Sequence, residues 1–327
     1  MKFYSLNQLP IYVDDFFFKP YNKERTKDSL VVYNPSDAMI VTPVLPRSRK
    51  TLEEHIELIQ TNNLKRITVA ANDISFIKKC PSLEFIEIHP AIDAIDFDYS
   101  PLYEMPNIKE LYAETMYGLG AMYEGEKVMI STIDYSKIKG LKKVVLSGHL
   151  GHINIHLAED LISLNMFNCP HFDNLSGHIP YKSLEHLGIC ESHLRSLEGI
   201  QKASKLRKVD LSYNRRLTDI SALGHLSDSL TYLEIDSCGK IRDFSVFEKL
   251  NNLECLILKG NNTLDDLSFL KKMPKLKYLR LRMNVLDGDL SLCENIPCVE
   301  IKNRKHYSHK NEDLPKNHID VESMFEI

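Results

Sequence analysis

The chain has 327 residues, of which 41 are basic and 45 are acidic, so its net charge is −4. This near balance argues against a nucleic acid or a membrane surface as the partner, because both reward an excess of basic residues. Seven scattered cysteines, an odd number without CxxC pairs, argue against a disulfide framework and favour a reducing compartment. We therefore predict a cytoplasmic protein.

The amino-terminal region, residues 1–63, is predicted to be a cap. Its first 18 residues lack the basic start, apolar run and cleavage site of a signal peptide. Strand-like runs follow at 30–33 and 39–45, and Thr51 and Glu54 have the spacing of a helix capping box. We expect this region to cover the first element of the segment that follows.

A repeated phrase occupies residues 64–301. The template of the phrase is LxxLxLxx followed by a small or polar residue, with other apolar residues in place of leucine in some copies. The clearest copies are 22 to 24 residues apart and start at Leu184, Leu206, Leu230, Leu253 and Leu276. Weaker copies lie upstream and start at Leu64, Leu83, Ile108, Leu141 and Leu161. Ten copies in all predict a repeat architecture.

The alternation inside each phrase is typical of a short strand with one buried face. One such unit cannot bury its own apolar face, so neighbouring units must stack and pair edge to edge. We predict about ten parallel strands and an eleventh, truncated strand at 298–301. Apolar residues three apart, such as Leu217, Ile220 and Leu223, predict short helical or 3₁₀ segments packed under the sheet.

The phrase resembles the leucine-rich repeat superfamily, particularly the short-period repeats of internalins and of phosphatase regulatory subunits. The resemblance implies an α/β solenoid: a horseshoe with a parallel concave sheet of about ten strands, an N-terminal cap and a protein-binding role. It also implies asparagine, or cysteine as a substitute, at the ninth position of the phrase. Asn72, Asn214, Asn261 and Asn284 are at that position, with Cys169 and Cys238 as the substitutes, whereas Ala91, Met116, His149 and Ser192 depart from the pattern.

Two segments outside the regular phrase carry further expectations. The longest return, 116–140, is irregular and predicts a protruding loop that could grip a partner. Residues 302–327 are predicted to be a polar tail or cap. Within them, 302–313 has few apolar anchors and is expected to be mobile, whereas 321–327 is apolar enough to fold back onto the last repeat or to act as a docking motif.

No metal or cofactor is predicted from the histidines. His149, His152 and His156 have ligand-like spacing, but no cysteine or carboxylate lies near them before Glu159. Ligand spacing without a helix or hairpin that brings the side chains together is weak support for a metal site.

No catalytic residue is predicted either. Cys190 and Cys255 occupy strand positions, with His186 near the first of them, but neither cysteine lies in a nucleophile motif. The sequence also contains no GxxxxGK[ST] or GxGxxG phosphate loop. The protein is therefore predicted not to be an enzyme.

Partner-binding residues are predicted at the third, fifth and seventh positions of the phrases, which should point into the concave face. Their mixture of aromatic and charged side chains is typical of a protein interface, although a merely solvated face is the alternative. The predicted residues are Phe85, Glu87, Glu110, Tyr112, Glu114, Asp210, Tyr232, Glu234, Asp236, Tyr278, Arg280 and Arg282. Acidic residues collect on the earlier strands, and Lys259, Arg280 and Arg282 make the last strands basic. We expect a partner with complementary patches.

The predicted function is a non-enzymatic module that binds a protein on its concave face. An inhibitor or immunity-type protein is one concrete form, by fold analogy with leucine-rich ribonuclease inhibitors, and a scaffold or regulatory subunit is equally compatible. The alternative is an adaptor or enzyme-associated subunit, whose residues 1–63 carry the activity and whose repeats select the substrate.

Overall fold

The computed structural model describes residues 29–33, 51–70, 73–88, 97–114, 132–147, 151–169 and 172–320. The chain divides into two compact units, residues 1–160 and residues 161–327. Several predictions fall outside the described residues: the strand-like run at 39–45, Asn72, the loop up to residue 131, His149, the side chain of Glu114, and 321–327.

In its described residues, the first unit contributes five strands to the main parallel sheet, and they pair in chain order. They are β1 Ser29–Tyr33, β2 Arg66–Ala70, β3 Phe85–Ile88, β4 Glu110–Glu114 and β5 Lys143–Ser147. Strand β1 pairs with β2 in the register that places Leu30 beside Ile67. The strand-like run before the repeats therefore extends the sheet beside the first repeat, as a cap should.

Helix α1 spans Leu52–Thr61 and begins where the capping box predicts. The Thr51 hydroxyl accepts a hydrogen bond from the Glu54 backbone N–H at 3.2 Å, and the Glu54 carboxylate accepts one from the Thr51 N–H at 2.6 Å. These bonds satisfy two backbone donors at the start of the helix. Its ten residues do not approach the length of a bilayer span, and no longer apolar helix lies in the described part of the chain.

The described part of the second unit contributes seven strands to the main parallel sheet, again in chain order. They are β6 Ser163–Phe167, β7 His186–Cys190, β8 Lys208–Ser212, β9 Tyr232–Asp236, β10 Cys255–Lys259, β11 Tyr278–Leu281 and β12 Cys298–Ile301. The second and fourth residues of these strands are buried, as Val209 and Leu211 illustrate. The predicted α/β solenoid fold is confirmed, with β12 as the truncated last strand.

The return segments are short 3₁₀ helices and two-residue strand pairs. In the first unit the 3₁₀ helices are Ser75–Lys79, Ser100–Glu104, Tyr135–Lys137 and Ile155–Leu157. In the second they are Ile200–Lys202, Ser221–Leu226, Ser245–Lys249, Ser268–Lys272, Ser291–Asn295 and Asn311–Asp313. The short strands pair Ile133–Asp134 with His152–Ile153, and Thr263–Leu264 with Asn284–Val285. The apolar spacing of three therefore indicated 3₁₀ packing correctly.

The predicted asparagine position is correct at Asn214 and wrong by one residue after β10. Asn214 is fully buried, and its side chain accepts from the Ser192 N–H at 3.0 Å and donates to the Ile189 carbonyl at 2.8 Å. After β10, Asn261 is exposed and Asn262 is buried, donating to the Cys238 carbonyl at 3.1 Å. Gly260, whose φ is +114°, lies at the phrase position that is also left-handed at Tyr213 and Ser237, so the left-handed residue does not account for this displacement.

The carboxyl-terminal segment is a packed cap, which differs from the mobile tail expected at 302–313. The Pro315 carbonyl accepts from the Val299 N–H at 2.9 Å, and the Asn311 side chain accepts from the Ile301 N–H at 2.8 Å. Tyr307 contributes its hydroxyl, which accepts from the Val285 N–H at 3.0 Å. The last strand of a sheet has unpaired backbone groups, and this segment satisfies them.

Candidate functional site

The candidate site is the open face of the second unit, the side of its sheet opposite the leucine core. The first, third and fifth residues of the strands form it, and Arg282 follows β11 directly. Its residues are Ser163, Asn165, Phe167, His186, Gly188, Cys190, Lys208, Asp210, Ser212, Tyr232, Glu234, Asp236, Cys255, Ile257, Lys259, Tyr278, Arg280, Arg282, Cys298 and Glu300. The parallel register places equivalent residues of neighbouring strands side by side.

The two predicted tyrosine anchors on this face are buried, which corrects the prediction that they project toward a partner. Tyr232 and Tyr278 are each only 2% exposed. They pack around Cys255 and Ile257, with Cys298 at the edge of the cluster. Cys255 lies on the middle strand, directly between Tyr232 and Tyr278 on the two neighbouring strands, so the two rings pack around a small side chain. Their role in the structure is packing on the open face.

The charged residues of the open face are paired across strands, so the predicted separation into acidic and basic patches is wrong. The Lys259 ammonium donates to Glu234 at 2.5 Å and lies 3.7 Å from Asp236. Arg280 donates to Glu300 at 2.9 Å, and this bond is the largest effect that lowers the pKa of the Glu300 carboxyl. Lys259 and Arg280 therefore have acidic hydrogen-bond partners, and the charge of the exposed Arg282 also lowers the pKa of the Glu300 carboxyl.

The tyrosine hydroxyls link the aromatic cluster to these ion pairs. Tyr232 donates to Glu234 at 2.8 Å, and Tyr278 donates to Glu300 at 2.8 Å. Each glutamate thus accepts from one aromatic hydroxyl and one cation. A side chain held by two such bonds has lost most of its rotamer freedom before any partner arrives.

Ser163, His186 and Asp210 form a hydrogen-bonded chain across three strands. Ser163 Oγ lies 2.9 Å from His186 Nδ1, and His186 Nε2 lies 2.7 Å from Asp210 Oδ2. This connectivity is that of a hydrolase triad, but Ser163 is only 4% exposed and its hydroxyl is not accessible to a substrate. These side-chain hydrogen bonds therefore link the three strands.

The two cysteines weighed as nucleophiles are protonated at neutral pH. Burial, reinforced by the carboxylates of Glu191 and Asp236, raises the pKa of the Cys190 thiol to about 11. Burial also raises the pKa of Cys255 to about 12. Since the thiolate is the nucleophile, neither side chain is activated for covalent chemistry.

In the first unit, the predicted residues Phe85, Glu87, Glu110 and Tyr112 lie on one side of β3 and β4. The Arg66 guanidinium lies 4.1 Å from the Phe85 ring centroid and 3.7 Å from a Glu110 oxygen. Glu87 is only 6% exposed and accepts from the Thr68 hydroxyl at 2.8 Å, which corrects its predicted exposure. Tyr112 is half-buried.

The comparison with solved structures supports the repeat interpretation, and no family model matches the chain. The chain is similar to an internalin, InlF, of Listeria monocytogenes, with 19% identity and a TM-score of 0.52 over 78% of this chain and 86% of that chain. This chain has the leucine-rich repeat fold. It is also similar to internalin C2 of the same species, with 21% identity, 57% and 84% coverage and a TM-score of 0.41. A TLR13–ssRNA13 complex gives 15% identity, 79% and 38% coverage and a TM-score of 0.44.

Sequence reasoning missed Ser163, His186, Gly188 and Glu300 as members of the open face. The signal was present, because residues at the third, fifth and seventh positions of a leucine-rich repeat phrase face the same side of the sheet. Ser163 is the third residue from Leu161. Only some of the residues at these positions were selected, and the charged Glu300 and the aromatic Phe167 were left aside together with small residues.

Of the three histidines with ligand-like spacing, His152 and His156 lie in the described residues, and no group of three or more potential metal ligands is found among those residues. His152 Nε2 lies 3.1 Å from the Ser147 carbonyl, which can only accept, so this nitrogen carries the proton. His152 Nδ1 lies 2.9 Å from the Tyr135 hydroxyl. Both ring nitrogens therefore have protein partners, while His156 is exposed.

The His152 environment predicts a loss of stability in mild acid. Burial lowers the pKa of His152 from 6.5 to about 4, so below pH 6.5 the unfolded chain takes up a proton that the folded chain does not. The free energy of unfolding should fall by about 1 kcal/mol between pH 7 and pH 5.5. Urea titrations at both pH values measure this difference. His152→Gln should reduce it and His156→Gln should not; equal pH dependence in all three proteins would contradict the assignment.

Proposed function

We propose that the chain is a non-enzymatic module that holds a protein partner on the open face of the second unit. The observation that supports this most is the pairing of polar side chains across β6 to β12. Glu234, Glu300 and Asp210 are each fixed by cross-strand partners yet remain half-buried, so part of each carboxylate stays in reach of solvent. A surface ordered in advance loses less conformational entropy on binding.

The composition of the open face favours a protein over a nucleic acid or a membrane. Acidic and basic side chains alternate at short range, and aromatic rings lie beneath them, as in the buried centre of many protein interfaces. A phosphate backbone would instead require an unneutralised basic surface. The net charge of −4 is consistent with this choice of partner.

An inhibitor or immunity-type role is the concrete form that we propose, and the cytoplasm is the proposed location. A fixed surface can block a partner stoichiometrically without moving. All seven cysteines are free thiols, and five of them are buried, as expected of a protein that folds in a reducing compartment. If a partner enzyme is identified, its activity should fall linearly to zero at one equivalent of this chain.

Matched surface substitutions test the binding face. The face variant combines Ser212→Arg with Arg282→Glu, which add bulk and reverse a charge on the open face. The control variant combines Ser204→Arg with Lys272→Glu, two exposed positions outside the open face in the same unit. A partner captured from a lysate of the source organism is identified, purified and titrated against each protein by calorimetry.

The face variant should bind at least about tenfold more weakly, because one steric block and one charge reversal within an interface cost 1.4 kcal/mol or more. The control variant should bind like the unmodified chain. Equal affinities for all three proteins would move the interface away from the open face.

A further inference from the structure

Four basic side chains lie at the carboxyl ends of β11 and β12 and in the chain that follows. Arg282 comes directly after β11, and Lys302 comes directly after β12. The Lys302 N–H donates to the carbonyl of the residue before Arg282 at 3.1 Å, so these two residues occupy equivalent positions on adjacent strands. Arg304 and Lys305 follow in the carboxyl-terminal cap. Arg282, Lys302, Arg304 and Lys305 are called the basic cluster below.

The basic cluster is not neutralised by the residues that the structure describes. Arg282, Lys302 and Lys305 are exposed, and none of the four cluster residues forms an ion pair with a carboxylate of the described chain. The charge of Arg282 lowers the pKa of the Glu300 carboxyl, but Glu300 already accepts from Arg280 at 2.9 Å. One carboxylate that already has a cationic partner cannot balance four further cations.

This excess of positive charge distinguishes the cluster from the cations on the strands of the open face. Lys208, Lys259 and Arg280 each have a carboxylate within ion-pairing distance. In the cap, the Glu312 carboxylate accepts from the Asn303 side chain at 3.3 Å and pairs with no described cation. Like charges side by side on adjacent strands destabilise a sheet. An anionic group from another molecule would therefore stabilise this end of the sheet.

Arg304 adds hydrogen-bond donors to the charge of the cluster. Its Nη2 lies 3.5 Å from the Arg282 carbonyl, at the long limit of a hydrogen bond, and its Nε is covered by protein without a partner in the described residues. A guanidinium group has five N–H donors, and a buried polar group without a partner lowers stability. The Nη donors at the end of the side chain can bind both oxygens of one carboxylate.

We propose that the basic cluster binds an acidic segment of the protein partner, in which several Asp or Glu side chains lie close together. This inference rests on the proposed function, because Arg282 belongs to the open face and the cluster continues that face into the cap. A short protein segment matches the cluster better than a nucleic acid does. The same face carries Asp210, Glu234 and Asp236, whose charges oppose a long phosphate backbone.

The first test is an NMR titration of the ¹⁵N-labelled full chain with a blocked tetraglutamate peptide. The matched peptide is tetraglutamine, which has the same length and no charge. The amide signals of Arg282 and Lys302, whose N–H groups are fixed by bonds within the sheet, should shift and saturate with tetraglutamate. Tetraglutamine should bind at least about tenfold more weakly, because charge-assisted hydrogen bonds are stronger than neutral ones. Added salt should weaken the binding of tetraglutamate.

Two charge-reversal variants locate the binding of tetraglutamate. The cluster variant combines Lys302→Glu with Lys305→Glu, two exposed side chains that make no hydrogen bond in the described chain. The charge control combines Lys271→Glu with Lys272→Glu, which makes the same change in net charge at exposed lysines outside the open face. The cluster variant should bind at least about tenfold more weakly, and the charge control should bind like the unmodified chain. Equal midpoints of urea unfolding show that all three proteins are folded.

Four results of these titrations would overturn the inference. Three of them are the absence of a saturable shift with tetraglutamate, equal binding of the two peptides, and equal binding of tetraglutamate by the cluster variant and the charge control. The fourth is tighter binding of an oligothymidylate with the same number of charges, which would identify a nucleic acid as the ligand of the cluster.

The partner captured for the open face separates this inference from the proposed function. Its affinity should fall about tenfold for the cluster variant and stay unchanged for the charge control. A partner that binds the cluster variant normally but the face variant weakly supports binding on the open face and refutes the acidic contact. A partner whose affinity neither variant changes refutes both the proposed interface and this inference.

Discussion

Replacing Tyr232 by alanine should lower the free energy of unfolding by about 3 to 5 kcal/mol, the usual cost of removing a large buried aromatic side chain. The ring is 2% exposed and packs on Cys255 and Ile257. Its hydroxyl donates to Glu234 at 2.8 Å, and the Lys208 ammonium lies 5.1 Å from its centroid. Urea unfolding followed by circular dichroism measures the change.

Two further tyrosine variants separate packing from hydrogen bonding. Tyr232→Phe keeps the ring and should cost only about 1 kcal/mol, the net value of one hydrogen bond. Tyr213→Ala removes a ring that is 45% exposed and should change stability by no more than about 0.5 kcal/mol. If Tyr232→Ala proved no more costly than Tyr213→Ala, the buried position of the Tyr232 ring would be wrong.

This stability cost determines how the open face must be probed. Alanine at Tyr232 or Tyr278 would remove part of the packing that supports Glu234 and Glu300, so weakened binding in such a variant would not locate the interface. Substitutions at Ser212 and Arg282 avoid this problem, because neither side chain belongs to the aromatic cluster.

The sequence predicts well those features that depend on residues close together in the chain. Leucines in the LxxLxL phrase fix which side of each strand is buried, because a strand alternates with a period of two. Thr51 and Glu54 determine the start of α1 through bonds three residues apart. Apolar residues three apart place the 3₁₀ turns. The strands and turns of the described repeats and the helix start were therefore predicted correctly.

Features that depend on the neighbouring strand were predicted poorly. The packing of the Tyr278 ring depends on Cys255, which is its neighbour on the adjacent strand but 23 residues away in the chain. The small cysteine side chain leaves room for the ring. The pairing of Arg280 with Glu300 joins two repeats in the same way. The packing of residues 302–313, which were expected to be mobile, was missed because the segment is anchored mainly by two apolar side chains, Tyr307 and Leu314, among many polar residues.

Asn214, at the ninth position of its phrase, is the site of the second large stability effect. Replacing it by alanine should lower the free energy of unfolding by about 2 to 4 kcal/mol. The side chain is completely buried, and its loss would leave the Ser192 N–H and the Ile189 carbonyl without their partner. Each buried backbone group left without a hydrogen bond costs about 1 to 3 kcal/mol. The midpoint of urea unfolding should fall accordingly, without a change in slope if unfolding remains cooperative.

Alanine variants of Asn261 and Asn262, measured in the same way, test which of the two residues is buried after β10. The phrase assigns the buried role to Asn261, whereas in the structure Asn262 is buried and its amide donates to the Cys238 and Ile241 carbonyls at 3.1 and 2.9 Å. Asn262→Ala should therefore destabilise the protein clearly, and Asn261→Ala, at an exposed position, should change its stability by about 0.5 kcal/mol or less. If Asn261→Ala proved more destabilising than Asn262→Ala, the buried side chain would be that of Asn261, as the spacing of the phrase predicts.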